Sequence, residues 1–361
     1  MVTASLELSP SRSCLAPMPE TSNFLDASST ICDRYGSETE SRISETVRDG
    51  LGKTPKRLPP WLFYDEAGSL LFEQITALPE YYLTRLEREI FLNDAAEMIA
   101  LAAGDARLRV VELGAGSADK TRLLLAAATE FQGQVCYQPV DVSGTALDVA
   151  RVRLEQELPE VTVEPHVTDY TRELRLEPCL DGEKRLALFI GSSIGNFLPE
   201  EALDLLSRLC DALEPGDGLL LGVDLAPSSD PGGGGKTEEA LTAAYDDAQR
   251  VTAGFNKNML ARLNRELGAE FDLEAFQHRI RWNQDESRIE MHLESLREQK
   301  VRIPSLDLEV AFAAGETIHT ENSYKYRLGE VEKLLGTAGF VNPQRWRDEN
   351  GWFAVYLATR A

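Results

Sequence analysis

The feature that most constrains the fold is an apolar run that ends in an acidic residue and a glycine turn. The run reads Val110-Val111-Glu112-Leu113-Gly114-Ala115-Gly116, and a helical pattern follows it over residues 120–131. A strand, a glycine turn and a helix in that order present backbone atoms to a nucleotide-like ligand in doubly wound α/β domains. The turn lacks both the third glycine of the dinucleotide motif and the Gly-Lys-Ser/Thr sequence of a phosphate-binding loop. The pattern therefore disfavours a nicotinamide cofactor, which stays open as the alternative.

Strands and helices alternate on the C-terminal side of this turn. The strand candidates are Leu108–Leu113, Val135–Val140, Val161–His166, Leu186–Gly191 and Gly218–Asp224, and helical patterns between them include residues 146–158 and 199–213. Such alternation predicts a parallel sheet with helices on both faces. At the end of the chain, a helix over residues 328–338 precedes two extended runs, residues 344–348 and 352–359, separated by Glu349-Asn350-Gly351. An Asn-Gly pair in that position predicts a hairpin, which would complete the sheet.

Between these α/β parts the pattern changes. The stretch at residues 227–235 is rich in glycine and proline and is interpreted as a flexible hinge. A long helical region over residues 236–267 and extended segments around 288–296 and 306–312 follow it. Residues 1–35 are rich in serine and proline and lack periodicity, which predicts a flexible N-terminal extension.

Charge and composition narrow the class of substrate. Lys and Arg number 37 and Asp and Glu 60, so the formal net charge is −23, which repels phosphate backbones and argues against nucleic acid. The five cysteines are scattered without metal-binding or paired spacing, which predicts neither a metal site nor a disulfide framework. No apolar run approaches the roughly 18 residues of a membrane span. We expect a monomeric, cytoplasmic protein without membrane contacts that acts on a small molecule.

Side chains that suit a cofactor follow consecutive strands. Gly114 follows the first strand; Asp141 follows the second, 141 − 116 = 25 residues beyond Gly116 and near the interval of about 20 typical of a ribose-binding acid. Asp169 and Tyr170 follow the third strand, where they suit an adenine ring. A lone aspartate after a strand is often only a helix cap. With Gly191–Asn196 after the fourth strand, four such features stand in register. Together with the acidic residue before the turn, they resemble the cofactor site of S-adenosylmethionine-dependent methyltransferases.

Longer motifs flank these strand ends. They are Leu58–Asp65, Gly68–Phe72, Ile75–Arg85, Gly191–Asn196, Ala244–Asp247, Phe255–Leu260, Asn264–Gly268, Ile289–Met291 and Glu321–Tyr326. In this order they resemble, over nearly the whole chain, the histidine-specific Nα-methyltransferases of ergothioneine biosynthesis. The resemblance implies transfer of three methyl groups from S-adenosyl-L-methionine to the α-amino group of free L-histidine. Mono- and dimethylhistidine would be intermediates, and Nα,Nα,Nα-trimethylhistidine (hercynine) the product.

The resemblance also implies an α/β fold with two folded parts. Residues 89–225 plus 326–361 are predicted to form a Rossmann-like class I methyltransferase core. Residues 36–88 plus 226–325 are predicted to form a second, α+β substrate-binding domain.

The family's functional residues carry over position by position. Tyr64 and the backbone of Gly191 would lie beside the reacting amine. The residues implied around the rest of histidine are Asn196 and Tyr245 for the carboxylate and Tyr81, Met291, Glu321 and Ser323 for the imidazole. Those implied for the cofactor are Gly114, Lys120, Asp141, Asp169 and Tyr170.

The residue types around the imidazole make chemical sense on their own. A carboxylate and a hydroxyl can satisfy both imidazole nitrogens. Glu321 and Ser323 share one face if their segment is extended, whereas the alternative places them at a helix N-terminus. Indole has a single N–H donor and a larger ring, so tryptophan is the less favoured acceptor. None of the four histidines falls in a matched motif, so we expect no histidine base, with Tyr64 orienting the amine.

Overall fold

A computed structural model describes residues 41–361 except 173, 175, 177 and 228–234. The chain divides into two compact units, Met1–Glu45 and Thr46–Ala361. In the first unit the described residues, 41–45, are helical. The predictions for residues 1–35 and for most of the glycine-rich stretch lie outside the described residues. Everything below concerns the second unit.

The second unit alternates strands and helices along most of its length. The strands are β1 (Lys56–Arg57), β2 (Arg107–Leu113), β3 (Val135–Asp141), β4 (Val161–Val163), β5 (His166–Val167), β6 (Glu183–Phe189), β7 (Gly218–Asp224), β8 (Phe276–Asn283), β9 (Arg288–Ser295), β10 (Gln299–Ile303), β11 (Leu308–Phe312), β12 (Thr317–Tyr324), β13 (Phe340–Arg347) and β14 (Phe353–Arg360). The helices are α1 (residues 46–52), α2 (Glu66–Thr76), α3 (Tyr82–Ala103), α4 (Thr121–Gln132), α5 (Gly144–Glu157), α6 (Pro199–Ala212), α7 (Glu238–Ala243), α8 (Val251–Leu267) and α9 (Glu330–Thr337). Short 3-10 turns lie at Pro60–Phe63, Ser193–Asn196, Leu273–Ala275 and Pro304–Leu306.

The large sheet has the strand order β13-β14-β7-β6-β2-β3-β4, with β5 beside β3. Strands β2 to β7 run parallel, and β14 joins β7 in antiparallel register. The predicted C-terminal hairpin is confirmed by the pairing of β13 with β14. Strand β7 is buried along its whole length, as expected for a parallel strand covered on both faces. This is the Rossmann-like core that the resemblance implies.

The strand order reverses between β2 and β6. From β2 the chain moves outwards to β3 and β4, then returns to place β6 on the other side of β2. In doubly wound sheets, ligands bind outside the carboxyl ends of the strands at such a switch point. The loops after β2 and β6, which carry Gly114 and Gly191, therefore face each other across the expected binding crevice.

Two local predictions are wrong. The strand expected at residues 161–166 is two short strands, β4 and β5, because Pro165 between them has no N–H to donate to a neighbouring strand. The single helix expected over residues 236–267 is two helices, α7 and α8. Between them Arg250 adopts a left-handed backbone with φ +62°, and the Asp247 carboxylate accepts from the N–H groups of Val251 (2.9 Å) and Thr252 (2.8 Å). That acceptor satisfies the free N–H groups at the start of α8 and so begins a new helix.

A second sheet has the order β1-β12-β9-β8 and joins β1, from the N-terminal part of the chain, to three strands of residues 276–324. Met291 on β9 pairs with Glu321 on β12, and a register shift lies between His319 and Glu321. Glu321 and Ser323 lie on one extended strand, so they share a face and the helical alternative is wrong. Strand β8 was not expected. The boundaries of the substrate-binding domain stay a prediction.

Within the described part of the chain, no helix combines the length and the apolar character needed to cross a membrane.

Candidate active site

Two connected cavities lie at the carboxyl edge of the large sheet. One is a large cleft and the other a smaller inner cavity. The residues that line both are Tyr64, Phe72, Tyr81, Gly191, Ser193 and Asn196. Because these residues form a common boundary, a ligand in the inner cavity meets a ligand in the cleft beside Tyr64 and Gly191.

The five residues predicted for the cofactor, Gly114, Lys120, Asp141, Asp169 and Tyr170, all line the cleft. Gly114 has φ +71°, and a Cβ added there would lie 3.4 Å from the Tyr170 hydroxyl. Glycine suits this position because other residues rarely adopt that backbone. Tyr170 packs edge-on against Phe189 at a ring-centroid distance of 5.9 Å. At Gly114 the loop after β2 therefore contacts Tyr170 through its backbone, without an intervening side chain.

Asp141 holds two loops of the cleft together. Its carboxylate accepts from the N–H of Gly116 at 3.0 Å and from the N–H of Ser143 at 2.9 Å. Burial raises the pKa of this carboxyl, and the N–H donors oppose that shift. Asp141 therefore has a structural role, because it holds the glycine turn in place, in addition to the ribose-binding role predicted from its spacing.

Glu112, which precedes the turn, also lines the cleft. Its carboxylate accepts from the Thr121 hydroxyl at 2.8 and 2.7 Å and from the Tyr137 hydroxyl. Burial raises the pKa of the Glu112 carboxyl to about 7, although these two hydroxyls oppose the shift. Through these hydrogen bonds Glu112 connects β2 to α4 and β3. The acidic residue of the motif therefore stabilises the elements on either side of the glycine turn.

A fully buried carboxylate, Glu87 on α3, lies beneath the boundary of the two cavities and contacts two residues that line them. It forms an ion pair with Lys120 and accepts from the N–H of Gly191 at 2.8 and 3.0 Å. The N–H of Gly191 is thereby occupied, so any role of Gly191 beside an amine falls to its carbonyl oxygen. Sequence reasoning missed Glu87, whose only signal is a charged residue on the buried face of a helix, four positions after Leu83.

Gly222→Ala is expected to displace Glu87 and to lower the free energy of unfolding by about 1–3 kcal/mol. A Cβ at this position would lie 2.0 Å from the Glu87 carboxylate oxygen, too close for either group to stay in place. Denaturant titration measures the change. Gly336→Ala on α9 is the matched control, because nothing lies within 4 Å of its added Cβ. Equal denaturation midpoints for the two variants would show that the Glu87 carboxylate can move away from position 222 without loss of stability.

The eight residues predicted around the acceptor all line the inner cavity: Tyr64, Gly191, Tyr81, Asn196, Tyr245, Met291, Glu321 and Ser323. They come from the 3-10 turn before α2, the start of α3, the loop after β6, the α7–α8 connection, β9 and β12. Aromatic rings meet edge to face along one wall, with centroid distances of 5.7 Å from Tyr64 to Phe72 and 6.2 Å from Tyr81 to Tyr245. Phe72 and Phe255 lay in the motifs but had no predicted role.

The titratable groups of the inner cavity are strongly affected by burial. Burial raises the pKa of the Glu321 carboxyl to about 7, and the charge of Lys325 opposes the shift. Burial and the nearby charge of Glu321 raise the pKa of the Tyr64 hydroxyl well above its usual value. Tyr64 therefore stays protonated at neutral pH, which suits a group that orients an amine and not one that removes its proton.

None of the four histidines lines either cavity among the described residues. His278 is buried between the Asn256 amide (2.8 Å) and the carbonyl of Tyr245 (2.8 Å). Within the described ranges, no group of three or more His, Cys, Asp or Glu side chains is arranged to hold a metal ion.

Behind the inner cavity lies a lysine that the sequence analysis did not single out. Lys325 is fully buried and donates to the Tyr245 hydroxyl at 2.8 Å and to the Ser323 hydroxyl at 2.9 Å. It also pairs with Asp224 at 2.8 Å. Lys325 lies inside the motif Glu321–Tyr326, which could have drawn attention to it. The neighbouring sequence does not indicate which groups its ammonium contacts.

Most of the chain matches a known family. The family described as histidine-specific methyltransferase, SAM-dependent, matches residues 43–360. The chain is 45% identical over 318 residues to histidine N-alpha-methyltransferase of Mycolicibacterium smegmatis, covering 88% of this chain and 95% of that protein. It is 43% identical, with the same coverage, to the protein of that name from Mycobacterium tuberculosis. It is 32% identical to ergothioneine biosynthesis protein 1 of Neurospora crassa, over 84% of this chain and 33% of that longer protein.

Proposed function

Because the chain belongs to the histidine-specific, S-adenosylmethionine-dependent methyltransferases, we propose that it trimethylates the α-amino nitrogen of free L-histidine. The product is hercynine, formed in the first step of ergothioneine biosynthesis. The observation that carries this proposal is the inner cavity, where Glu321 and Ser323 face a space that adjoins the cofactor cleft at Gly191.

The residues of the cleft fit the cofactor. The Gly114 turn leaves room for close approach, and Asp141 is a half-buried carboxylate suited to two ribose hydroxyls. Asp169 and Tyr170 suit the adenine amine and ring face, and Lys120 carries a positive charge beside Gly191. When bound, S-adenosylmethionine supplies a methyl group that is already activated by its positive sulfur.

The task left to the protein is to hold a neutral amine in line with that methyl group. Approach and orientation supply about 7–11 kcal/mol in favourable intramolecular models. Because the α-amino pKa is near 8 in model peptides, a useful neutral fraction exists at neutral pH without a dedicated base. The Tyr64 oxygen and the Gly191 carbonyl can each accept an N–H of the amine, which directs its lone pair towards the cleft.

Recognition of histidine divides between residues for the imidazole and residues for the carboxylate, which lie side by side where the Ser323 and Tyr245 hydroxyls are 2.7 Å apart. Glu321 and Ser323 can satisfy both ring nitrogens, with Tyr81 and Met291 against the ring. Asn196 and Tyr245 can donate to the carboxylate. Tryptophan as the alternative acceptor is disfavoured, because its single N–H cannot satisfy both Glu321 and Ser323.

Incubation with L-histidine and excess S-adenosylmethionine is expected to yield mono- and dimethylhistidine transiently and then trimethylhistidine. Each transfer replaces an N–H by a methyl group while the other contacts of histidine remain. Mass spectrometry of timed samples measures the three products, and L-tryptophan serves as the control acceptor. Accumulation that stops at monomethylhistidine would refute trimethylation, and faster turnover of tryptophan would refute histidine as the acceptor.

We further propose that the protein is a monomer acting in the cytoplasm, without nucleic-acid or membrane partners. The net charge of −23 supports the exclusion of nucleic acid. We also propose residues 36–88 plus 226–325 as the substrate-binding domain, residues 89–225 plus 326–361 as the methyltransferase core and residues 1–35 as an extension. The pairing of β1 with β12 supports the grouping of residues 36–88 with residues 226–325 in one domain.

A further inference from the structure

We propose that Lys325 is a positioning residue for the carboxylate of the acceptor. It orients the hydroxyl groups of Tyr245 and Ser323 and places a buried positive charge directly behind them. The inference rests on the proposed function, in which an amino acid with a free carboxylate occupies the inner cavity.

All three N–H donors of the Lys325 ammonium have partners. They are the Tyr245 hydroxyl at 2.8 Å, the Ser323 hydroxyl at 2.9 Å and the Asp224 carboxylate at 2.8 Å. An ammonium group has three donors and no acceptor. Both hydroxyl oxygens are therefore acceptors toward Lys325, and their own hydrogens must point elsewhere.

The hydroxyl groups of Tyr245 and Ser323 are also 2.7 Å apart and bonded to each other. Of their two hydrogens, one lies in that bond and one remains. The remaining hydrogen is available to a ligand in the inner cavity, because both residues line it. When Ser323 donates to Tyr245, the Tyr245 hydroxyl is left to donate to a carboxylate, and two incoming hydrogen bonds strengthen it as a donor.

The charge of Lys325 is only partly balanced by its neighbours. Asp224 is its one carboxylate partner at ion-pair distance among the described residues, and Asp224 is shared with Lys236. Lys236 lines neither cavity and donates to the carbonyls of Leu225 (2.7 Å) and Trp352 (3.2 Å). The carboxyl of Glu321 also interacts with the charge of Lys325, beyond ion-pair distance. A carboxylate bonded to Tyr245 would add to this compensation, and a buried charge needs such pairing to be stable.

The two lysines give a matched pair of variants. Lys325→Met and Lys236→Met each remove one buried ammonium from the same aspartate and leave a one-to-one pair behind. Only Lys325 contacts the hydroxyls of the inner cavity. Dissociation constants for L-histidine and for histamine, which lacks the carboxylate, are measured by calorimetry with S-adenosylhomocysteine present.

In the unmodified protein we expect histidine to bind more tightly than histamine. Lys325→Met is expected to weaken histidine binding by about tenfold or more and histamine binding by less than about threefold. The ratio of the dissociation constant of histamine to that of histidine therefore falls. Lys236→Met is expected to change both by less than about threefold. A structural defect alone would weaken both ligands equally.

Equal weakening of both ligands by Lys325→Met, or the same effect from Lys236→Met, would overturn the inference. So would equal affinity of the unmodified protein for the two ligands. If Lys325→Met does not fold, Lys325→Gln, which keeps a donor but loses the charge, is judged by the same criterion. Failure of the proposed function is distinct, because the unmodified protein would then not methylate histidine at all.

Discussion

Asp141→Ala is expected to lower the affinity for S-adenosylmethionine by about a hundredfold or more. Hydrogen bonds to a charged group contribute about 1.5–3 kcal/mol each, and two ribose hydroxyls would lose such an acceptor. The same change removes the acceptor of the Gly116 and Ser143 N–H groups, so the glycine turn loses its fixed shape as well. Calorimetric titration with S-adenosylmethionine measures the loss.

Asp148→Ala is the matched control for that experiment. Asp148 lies on α5, and its side chain is 71% exposed, so its removal changes the charge equally without touching the cleft. Histidine binding measured separately shows whether the damage is local to the cofactor. Normal cofactor affinity in Asp141→Ala would contradict the placement of the ribose at this carboxylate.

Glu321→Ala is expected to weaken histidine binding by roughly 1–3 kcal/mol, because an imidazole N–H is left without an acceptor in a buried cavity. Calorimetry with L-histidine measures this loss. Cofactor binding should be unchanged, since Glu321 does not line the cleft. Glu309→Ala, which removes an exposed carboxylate on strand β11, is the control. Unchanged histidine affinity in Glu321→Ala would exclude the imidazole role.

The same carboxylate gives a pH dependence of stability in the ligand-free protein. Burial raises the pKa of Glu321 from 4.5 to about 7, so between these values the folded state binds more protons than the unfolded state. Its contribution to the free energy of unfolding therefore falls as pH rises through this window, by on the order of 3 kcal/mol. Glu321→Gln has no such titration and is expected to be more stable than the unmodified protein above pH 7. Denaturant titrations at pH 5 and pH 8 test this, and parallel profiles for the two proteins would refute it.

Local sequence patterns predicted the parallel core well because its signals are local. Each of these signals, such as an apolar run, a glycine turn or an Asn-Gly hairpin, is contained in a short stretch of sequence. Strand β7, for example, begins and ends at the predicted residues. The failures are also local in origin: Pro165 divides one strand, and Asp247 begins a new helix inside a continuous helical pattern.

The supporting residues of the site could not be predicted in this way. Glu87 and Gly191 lie 104 residues apart, and Lys325 and Tyr245 lie 80 apart. Periodicity places side chains on a helix or strand, but only the tertiary packing brings Glu87 and Lys325 against partners so distant in the sequence. The acceptor residues were found because the family resemblance supplied them; their spacing alone left Glu321 and Ser323 open to a helical reading.

The common boundary of the two cavities has a kinetic consequence. The donor and the acceptor lie in separate cavities that meet at this boundary, so the used cofactor can leave the cleft while the amino acid stays in the inner cavity. After each transfer, a partly methylated amino acid then either escapes or waits for the next donor molecule. How many methyl groups it finally carries is decided by a race between its own release and the refilling of the cleft. Scarcity of the donor would therefore change the kind of product released as well as its amount.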